Sequence, residues 1–260
     1  MELYTVLLAP NASMMTGPGT NTLVLGEPAS GALVIDPADA NPQHLDAIQQ
    51  AAEERGGVAR ILLTHSHPDH IGGAVELRER TGAALYGFRR ETMPFLDHEI
   101  ADGTTFSTGS DTLRALYTPG HCADHLCFYL EKGRVLFAGD VVAGVGTVVI
   151  EDLFDYMETL HRLQALDMNE MVPSHGPVIQ NAQAKLAEYI AHRMEREQQI
   201  IAALDQGEAT VMELVRRVYT DVRESLYPVA AFSVSAHLKK LEREQRAICQ
   251  DDRWRLKGRE

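Results

Sequence analysis

The chain has 260 residues, with 24 basic and 37 acidic side chains and a formal net charge of −13 at pH 7. Apolar residues make up 45% of it and charged residues 23%, which is the composition of a folded globular chain and excludes disorder as its main state. No apolar run reaches the roughly 18 residues of a membrane helix, and the acidic balance argues against a protein that coats nucleic acid non-specifically.

Short apolar runs open the chain. Leu3 to Leu8, Thr22 to Leu25 and Ala32 to Ile35 read as strands, with a turn at Pro18-Gly19. Pro42 to Glu54 has helical composition and stops at Gly56-Gly57. Arg60 to Thr64 is an almost continuous apolar strand, as expected of one covered on both faces. A helix over Ile71 to Arg80 ends at Gly82. Strands follow at Leu113 to Tyr117, Leu126 to Leu130 and Val135 to Phe137, then a helix over Leu153 to Leu166 and a short strand at Met171-Val172. This alternation predicts an α/β (α+β) layer structure over residues 1–180.

After Pro177 the texture changes. Asn181 is placed to cap a long helix that connects residues 181–204, with Leu186, Ile190, Met194 and Ile201 on one stripe. Helices from Thr210 and over Val229 to Gln245, then a hairpin of Ala247 to Gln250 and Arg253 to Lys257, outline a small winged-helix-like domain over 205–260. The first 204 residues hold 13 basic and 27 acidic side chains, a net −14; the last 56 hold 11 and 10, a net +1.

The three cysteines (Cys122, Cys127, Cys249) are too few and too irregularly spaced for a disulfide framework or a thiolate zinc site. The N-terminus lacks the basic start and small-residue cleavage pattern of a signal peptide, so a cytoplasmic, reducing setting is expected.

The chemistry concentrates in Thr64-His65-Ser66-His67-Pro68-Asp69-His70. Residues two apart in extended chain face the same side, so His65 and His67 can reach one cation. Pro68 turns the chain, and Asp69 and His70 enter the next helix facing another way, so one loop can serve two metals. Imidazole and carboxylate are ligands that Zn²⁺ accepts. Three later points lie where strands should end: His121 after Thr118-Pro119-Gly120, Asp140 after Gly139, and His175 after Pro173-Ser174. In an α/β protein such ends converge on one edge. A further carboxylate from the Glu151-Asp152 loop is expected beside them, and segments 89–98 and 143–150 are expected to carry specificity. His98, His161, His192 and His237 read as surface or satisfied helix histidines.

In this order, H-x-H-x-D-H…H…D…H, the sequence resembles the metallo-β-lactamase superfamily. The resemblance implies an αββα sandwich, with His65, His67 and His121 on a first metal, Asp69, His70 and His175 on a second, and Asp140 bridging them. The histidine at 67 departs from the H-x-E-x-D pattern of the flavodiiron branch, and no cysteine takes the Asp140 position as in the largest true lactamase branch. Further matches at Gly19-Thr20-Asn21-Thr22, Thr118-Pro119-Gly120-His121 with Asp124-His125, Glu151 to Met157, His175-Gly176-Pro177-Val178-Ile179, His192-Arg193 and Thr210 to Leu214 resemble the beta-lactamase-like protein two family. That likeness implies a C-terminal winged-helix domain and, for the family's mitochondrial members, endonuclease action on single-stranded RNA.

The expected cofactor is Zn²⁺, two ions per chain, with Mn²⁺ or Fe²⁺ compatible with the same donors. Two such ions sharing a water lower its pKa and polarise the bond under attack. Asp69 is expected to orient that water and shuttle its proton, His125 to support the ligands from behind, and Asn21 to lie near the substrate. The first expectation for the substrate is a small ester, thioester, lactone or lactam. A single-stranded RNA or DNA is the alternative, through Lys239, Lys240, Arg243, Arg246, Arg253, Arg255 and Lys257, although Glu242 and Glu244 interleave with these and Lys240 can pair with Glu244. A non-enzymatic nucleic-acid-binding protein is disfavoured, because a structural zinc site takes four ligands and this cluster offers seven. A mononuclear iron oxygenase is disfavoured by the complete second set of ligands.

Overall fold

Buried, apolar runs set the frame of the computed structural model, which describes residues 2–258. Strands β1 (Tyr4–Leu8), β2 (Asn21–Leu25), β3 (Ala32–Ile35), β4 (Val58–Leu62), β5 (Ala84–Gly87) and β6 (His98–Glu99) form one sheet in sequential order. Strands β7 (Thr105–Ser107), β8 (Thr112–Tyr117), β9 (Leu126–Leu130), β10 (Val135–Gly139) and β11 (Glu170–Pro173) form a second, ordered β11-β10-β9-β8-β7. Strands β2, β3, β9 and β10 are buried at every position, which explains their apolar composition. Leu25, Leu33, Ile35 and Leu62 of the first sheet share one core with Leu113, Phe128, Phe137 and Val172 of the second. Helices α1 (Pro42–Glu53) and α3 (Ala74–Thr81) cover the other face of the first sheet through Leu45, Ile48, Ala52 and Leu77.

The chain falls into two compact units. The first runs to Pro119 and adds Asp124–Val148 and Leu166–Gln183; the second takes Gly120–Ala123, Val149–Ala165 and the chain from Ala184 onward. Helix α4 (Leu153–Gln164) thus belongs with the tail: it contacts α7 (Tyr227–Arg243), and Arg243 pairs with Asp155 at 2.8 Å.

The expected helix over Ile71 to Arg80 is instead a short α2 (Pro68–Ile71) followed by α3. Gly72 and Gly73 break it, and a Cβ on either would lie 2.5–2.6 Å from the carbonyl of Ala38 or Asp39. Strands β5, β6 and β7 lay outside the sequence reading; two of them are only two and three residues long.

In the second unit α5 (Ala182–Asp205), α6 (Val211–Val218) and α7 enclose Ile200, Leu204, Leu214, Val234, Leu238 and Leu241. Thr210 and Glu213 form a full capping box on α6. The hairpin β12 (Ala247–Gln250) and β13 (Arg253–Leu256) closes the outline expected of the tail.

His237 departs from the expectation of a surface or satisfied residue. It is 1% exposed, and neither ring nitrogen has a hydrogen-bond partner among the described residues. Burial, then the charges of Arg193, Lys240, Arg196 and His192, push its pKa down to about 3. The unfolded chain binds this proton below about pH 6.5 and the native chain does not. The contribution of His237 to stability is therefore complete above that pH and is lost as pH falls toward 3, by about 1.4 kcal/mol per pH unit. Replacing it as His237→Leu should flatten the acid limb of the unfolding midpoint plotted against pH; an unchanged limb would show that His237 does not set it.

Candidate metal centre

Five chain segments deliver polar side chains to one edge of the sandwich. Asp36 follows β3, Thr64 to His70 follow β4, Thr118 follows β8, Asp140 follows β10, and Ser174-His175 follow β11. The two sheets are stitched there by the Leu126 N–H donating to the Thr64 carbonyl at 2.7 Å, and Ser174 N–H donates to the Gly139 carbonyl at 3.0 Å.

His65 and His67 converge as their spacing predicts, with Nε2 of one 2.9 Å from Nδ1 of the other. His67 is the N-cap residue of α2, extended at φ −64° and ψ 142°, and Asp69 and His70 follow on the helix, with the His70 ring 4.0 Å from that of His65 rather than facing away from it as the spacing predicted. The donor atoms of His65, His70 and Asp140 lie within 4.8 Å of one another, as do those of Asp69, His70 and His175. Six of the seven expected ligands therefore gather in the first unit. The seventh, His121, stands in the second unit, where its Nδ1 donates to the Val149 carbonyl at 2.7 Å. That bond makes Nε2 the lone-pair nitrogen, the form a metal ligand needs.

The residue the sequence reading missed is Asp36. It is 1% exposed, at φ 49°, and its carboxylate accepts from Thr64 N–H at 2.8 Å, Thr64 Oγ1 at 2.6 Å and His70 Nδ1 at 2.8 Å. Its signal was a single acidic residue at the end of an apolar strand, Leu33-Val34-Ile35-Asp36, which a turn residue would also give.

Asp36 fixes Nδ1 of His70 as the donor, so Nε2 carries the lone pair. That Nε2 is buried, makes no hydrogen bond among the described residues, and faces Asp140 Oδ1 at 3.6 Å and Asp69 Oδ2 at 3.7 Å. His175 Nε2 lies 3.4 Å from Asp140 Oδ1 and 3.3 Å from Asp69 Oδ2. A lone-pair nitrogen and two carboxylates around one point call for a cation, and nitrogen with oxygen donors suits a divalent one. With protons alone to supply the charge, burial opposes ionisation of His70, yet the Asp140 and Asp36 carboxylates raise its pKa well above the usual value. Burial likewise opposes His175, and hydrogen bonds to Asp140 and Asp69 lift its pKa to about 9. Burial would raise Asp140, but the His70 charge and the His175 hydrogen bond hold it well below the carboxylate range.

His125 stands behind these groups. Its Nε2 accepts from Asp140 N–H at 3.0 Å and its Nδ1 pairs with Thr118 Oγ1 at 2.8 Å, so both nitrogens are engaged in protein hydrogen bonds. Gly139 leaves room for it: the residue has φ 53°, and a Cβ there would sit 2.4 Å from His125 Nε2. We expect Gly139→Ala to displace His125 and Asp140 together and to lower bound metal and kcat/KM on the order of 10–100-fold, measured by elemental analysis and turnover.

Asn21 is buried, and its Nδ2 donates to the Pro173 and Gly176 carbonyls, both at 2.9 Å. It clamps the loop that carries His175. In the Glu151-Asp152 loop, Asp152 caps α4 by accepting from Asp155 N–H at 3.0 Å, and it faces Arg243 at 3.5 Å.

Residues 15–175 match the metallo-beta-lactamase superfamily, and residues 210–254 match the beta-lactamase associated winged helix domain. The chain belongs to the metallo-β-lactamase superfamily. It is 36% identical over 260 residues to the beta-lactamase-like protein 2 homolog of Drosophila melanogaster, covering 92% of this chain and 87% of that protein. The Caenorhabditis elegans homolog is also 36% identical, over 92% of this chain and 84% of its own. An Aspergillus fumigatus protein named atrochrysone carboxyl ACP thioesterase is 36% identical over 82% of this chain and 72% of its own. The crystal structure of a metallo-beta-lactamase family protein from Thermus thermophilus shares the fold at a TM-score of 0.78 and 23% identity, covering 98% of this chain and 99% of that one. This superfamily member is a metal-dependent hydrolase with a C-terminal winged helix, as its sequence motifs implied. Among the described residues no helix is long and apolar enough to cross a membrane.

Proposed function

We propose that this superfamily member hydrolyses a carboxyl thioester, with small esters as the nearest substitutes, at a centre of two Zn²⁺ ions. The convergence of His65, His67, Asp69, His70, Asp140 and His175 at one sheet edge carries the reading, with His121 assigned to the first ion by its place in the motif. Ions bound there supply Lewis acidity and water of lowered pKa. The protein's part is to fix the donors, through Asp36, Thr64, His125 and Asn21, and to move one proton. Asp69, 30% exposed at its side chain, is the carboxylate at the solvent edge of the group and accepts the proton of the attacking water at Oδ2. A thiolate leaves without prior protonation, since its conjugate thiol has a pKa of about 8.5. One proton-transfer group therefore suffices. The relative named as an ACP thioesterase supports the same bond type.

The tail argues against the nucleic-acid alternative. Lys240 is held between Glu197 at 2.7 Å and Glu244 at 2.6 Å, Arg246 pairs with Glu197 at 2.8 Å, Arg243 pairs with Asp155 at 2.8 Å, and Arg253 pairs with Glu208 at 2.9 Å. Four of the seven basic residues that could grip phosphates are thus neutralised within their own unit, and the first 204 residues carry a net −14.

A panel of an acyl thioester, a carboxyl ester, a lactone, a chromogenic lactam, bis-p-nitrophenyl phosphate and labelled single-stranded RNA tests the proposal. Thioester turnover that disappears in Asp69→Asn is the expected result. RNA cleavage that disappears in Asp69→Asn, with the thioester untouched, would replace this reading by the nuclease one.

A further inference from the structure

A histidine stands in the apolar stripe of α1. Asn41 caps this helix by accepting from the N–H groups of Gln43 and His44, and Pro42 opens it. The buried residues of α1 are His44, Leu45, Ile48 and Ala52, with His44, Ile48 and Ala52 at helical spacing on one face. Leu45, Ile48 and Ala52 belong to the core under the first sheet. His44 is 6% exposed, and its Nε2 lies 3.0 Å from Oγ1 of Thr22, a fully buried residue of β2. The hydrolytic chemistry does not use this ring.

Thr22 leads from His44 to the metal centre. Its hydroxyl donates to the Asp36 carbonyl at 2.6 Å and accepts from Ala38 N–H at 3.3 Å. The single hydroxyl hydrogen is committed to Asp36, so the contact with His44 needs a hydrogen on Nε2. Burial holds the pKa of His44 below its usual value against the charge of Asp39, so the ring is neutral at pH 7 and carries its hydrogen on Nε2. Asp36 is fastened on all sides. Its N–H donates to the Leu62 carbonyl at 3.0 Å, its carbonyl accepts from Thr22, and its carboxylate accepts from Thr64 and from His70 Nδ1. A φ of 49° is sparsely populated by residues other than glycine and persists only where the surroundings over-determine it. Thr22 clamps the carbonyl side of that strained residue.

We propose that His44 is a positioning residue for the metal centre: its Nε2–H fixes the Thr22 hydroxyl, Thr22 fixes the carbonyl of Asp36, and Asp36 holds the His70 ring. This rests on the reading of His70 as a metal ligand. Without the Nε2 donor, the Thr22 hydroxyl loses the partner that sets its rotation and turns away from Asp36. The strained backbone at Asp36 then relaxes, and its carboxylate no longer aims His70 Nε2 at the ion. The ion that His70 shares with Asp69 and His175 loosens most. His65 meets Asp36 only through Thr64 Oγ1, 3.0 Å from its Nδ1, so an ion on His65 and His67 loosens less.

Titration of histidine-labelled protein with Zn²⁺ against a competing chelator, followed by magnetic resonance, tests the chain of contacts. The ring signals of His70 and His175 report one ion, and those of His65 and His67 the other. In His44→Leu the ion at His70 and His175 should weaken about tenfold, the lower end for loss of a ligand's own partner, and the other ion less than about threefold. His44→Gln, whose amide N–H reaches the Nε2 position, should restore the affinity; His44→Asn, whose amide ends near the Nδ1 position, should not. Equal weakening of both ions, no rescue by glutamine, or unchanged affinities with a lower unfolding midpoint would make His44 a packing residue and overturn the proposal. If His44→Leu does not fold, the glutamine and asparagine variants decide, and equal affinities in the two overturn it. If the parent protein binds one ion only, the two-ion reading fails, and the His70 Nδ1–H signal still decides. A shift of that signal in His44→Asn that His44→Gln reverses supports the clamp, and an unmoved signal overturns it.

Discussion

Asp140→Asn should abolish turnover while leaving the fold in place. The carboxylate stands 3.6 Å from His70 Nε2 and 3.4 Å from His175 Nε2, at the junction of the two donor groups. An amide removes its negative charge and turns one of its oxygens into a donor that cannot face a cation. The ions contribute several kcal/mol of transition-state stabilisation, so their loss lowers kcat/KM by about three orders of magnitude. Backbone structure should persist, because His125 holds the peptide N–H of residue 140 rather than its side chain. Elemental analysis, turnover and an unfolding curve on one preparation check all three points. A variant that keeps its metal and its rate would remove Asp140 from the centre.

The second large effect is expected at Asp36. Asp36→Ala leaves Thr64 N–H, Thr64 Oγ1 and His70 Nδ1 without their acceptor in a buried setting. Each stranded group costs about 1–3 kcal/mol, and alanine is less at ease than aspartate at a φ of 49°. Together these should lower the unfolding free energy by several kcal/mol. Asp36→Asn separates stability from function. It keeps the size and tolerates the backbone angle, but its side chain no longer offers two acceptor oxygens to Thr64 and His70. Metal affinity should fall on the order of 10–100-fold with much of the stability retained. Equal loss of both in the asparagine variant would mean that Asp36 is a structural residue only.

The contrast between Asp140 and Asp36 shows what a sequence discloses about this site. Asp69, His70 and the two histidines before them were legible as one cluster because they fall within six residues of a strand-to-helix turn, but the spacing did not disclose that His70 lies beside His65, with ring centroids 4.0 Å apart. Asp140 and His175 were legible through their order behind predicted strands, although the parallel pairing of β10 with β11 that brings them together is long-range. Asp36 was not, since nothing local distinguishes a buried acceptor of three hydrogen bonds from a turn residue. The same limit hid the role of Asn21, whose partners lie more than 150 positions away. In the tail, the Lys240–Glu244 pair followed from helical spacing, but the second partner of Lys240, Glu197, comes from another helix. That long-range pair makes a basic helix that looks like a phosphate-binding face into an internal ion-pair network. The short strands β6 and β7 went unread because two or three residues carry no periodicity.

Chelation and reconstitution test the central claim most directly, with acyl-thioester turnover as the readout. Turnover should disappear when the metal is stripped at neutral pH and return in proportion to added Zn²⁺, reaching its plateau at two equivalents per chain. Turnover that survives complete removal of metal would contradict the account.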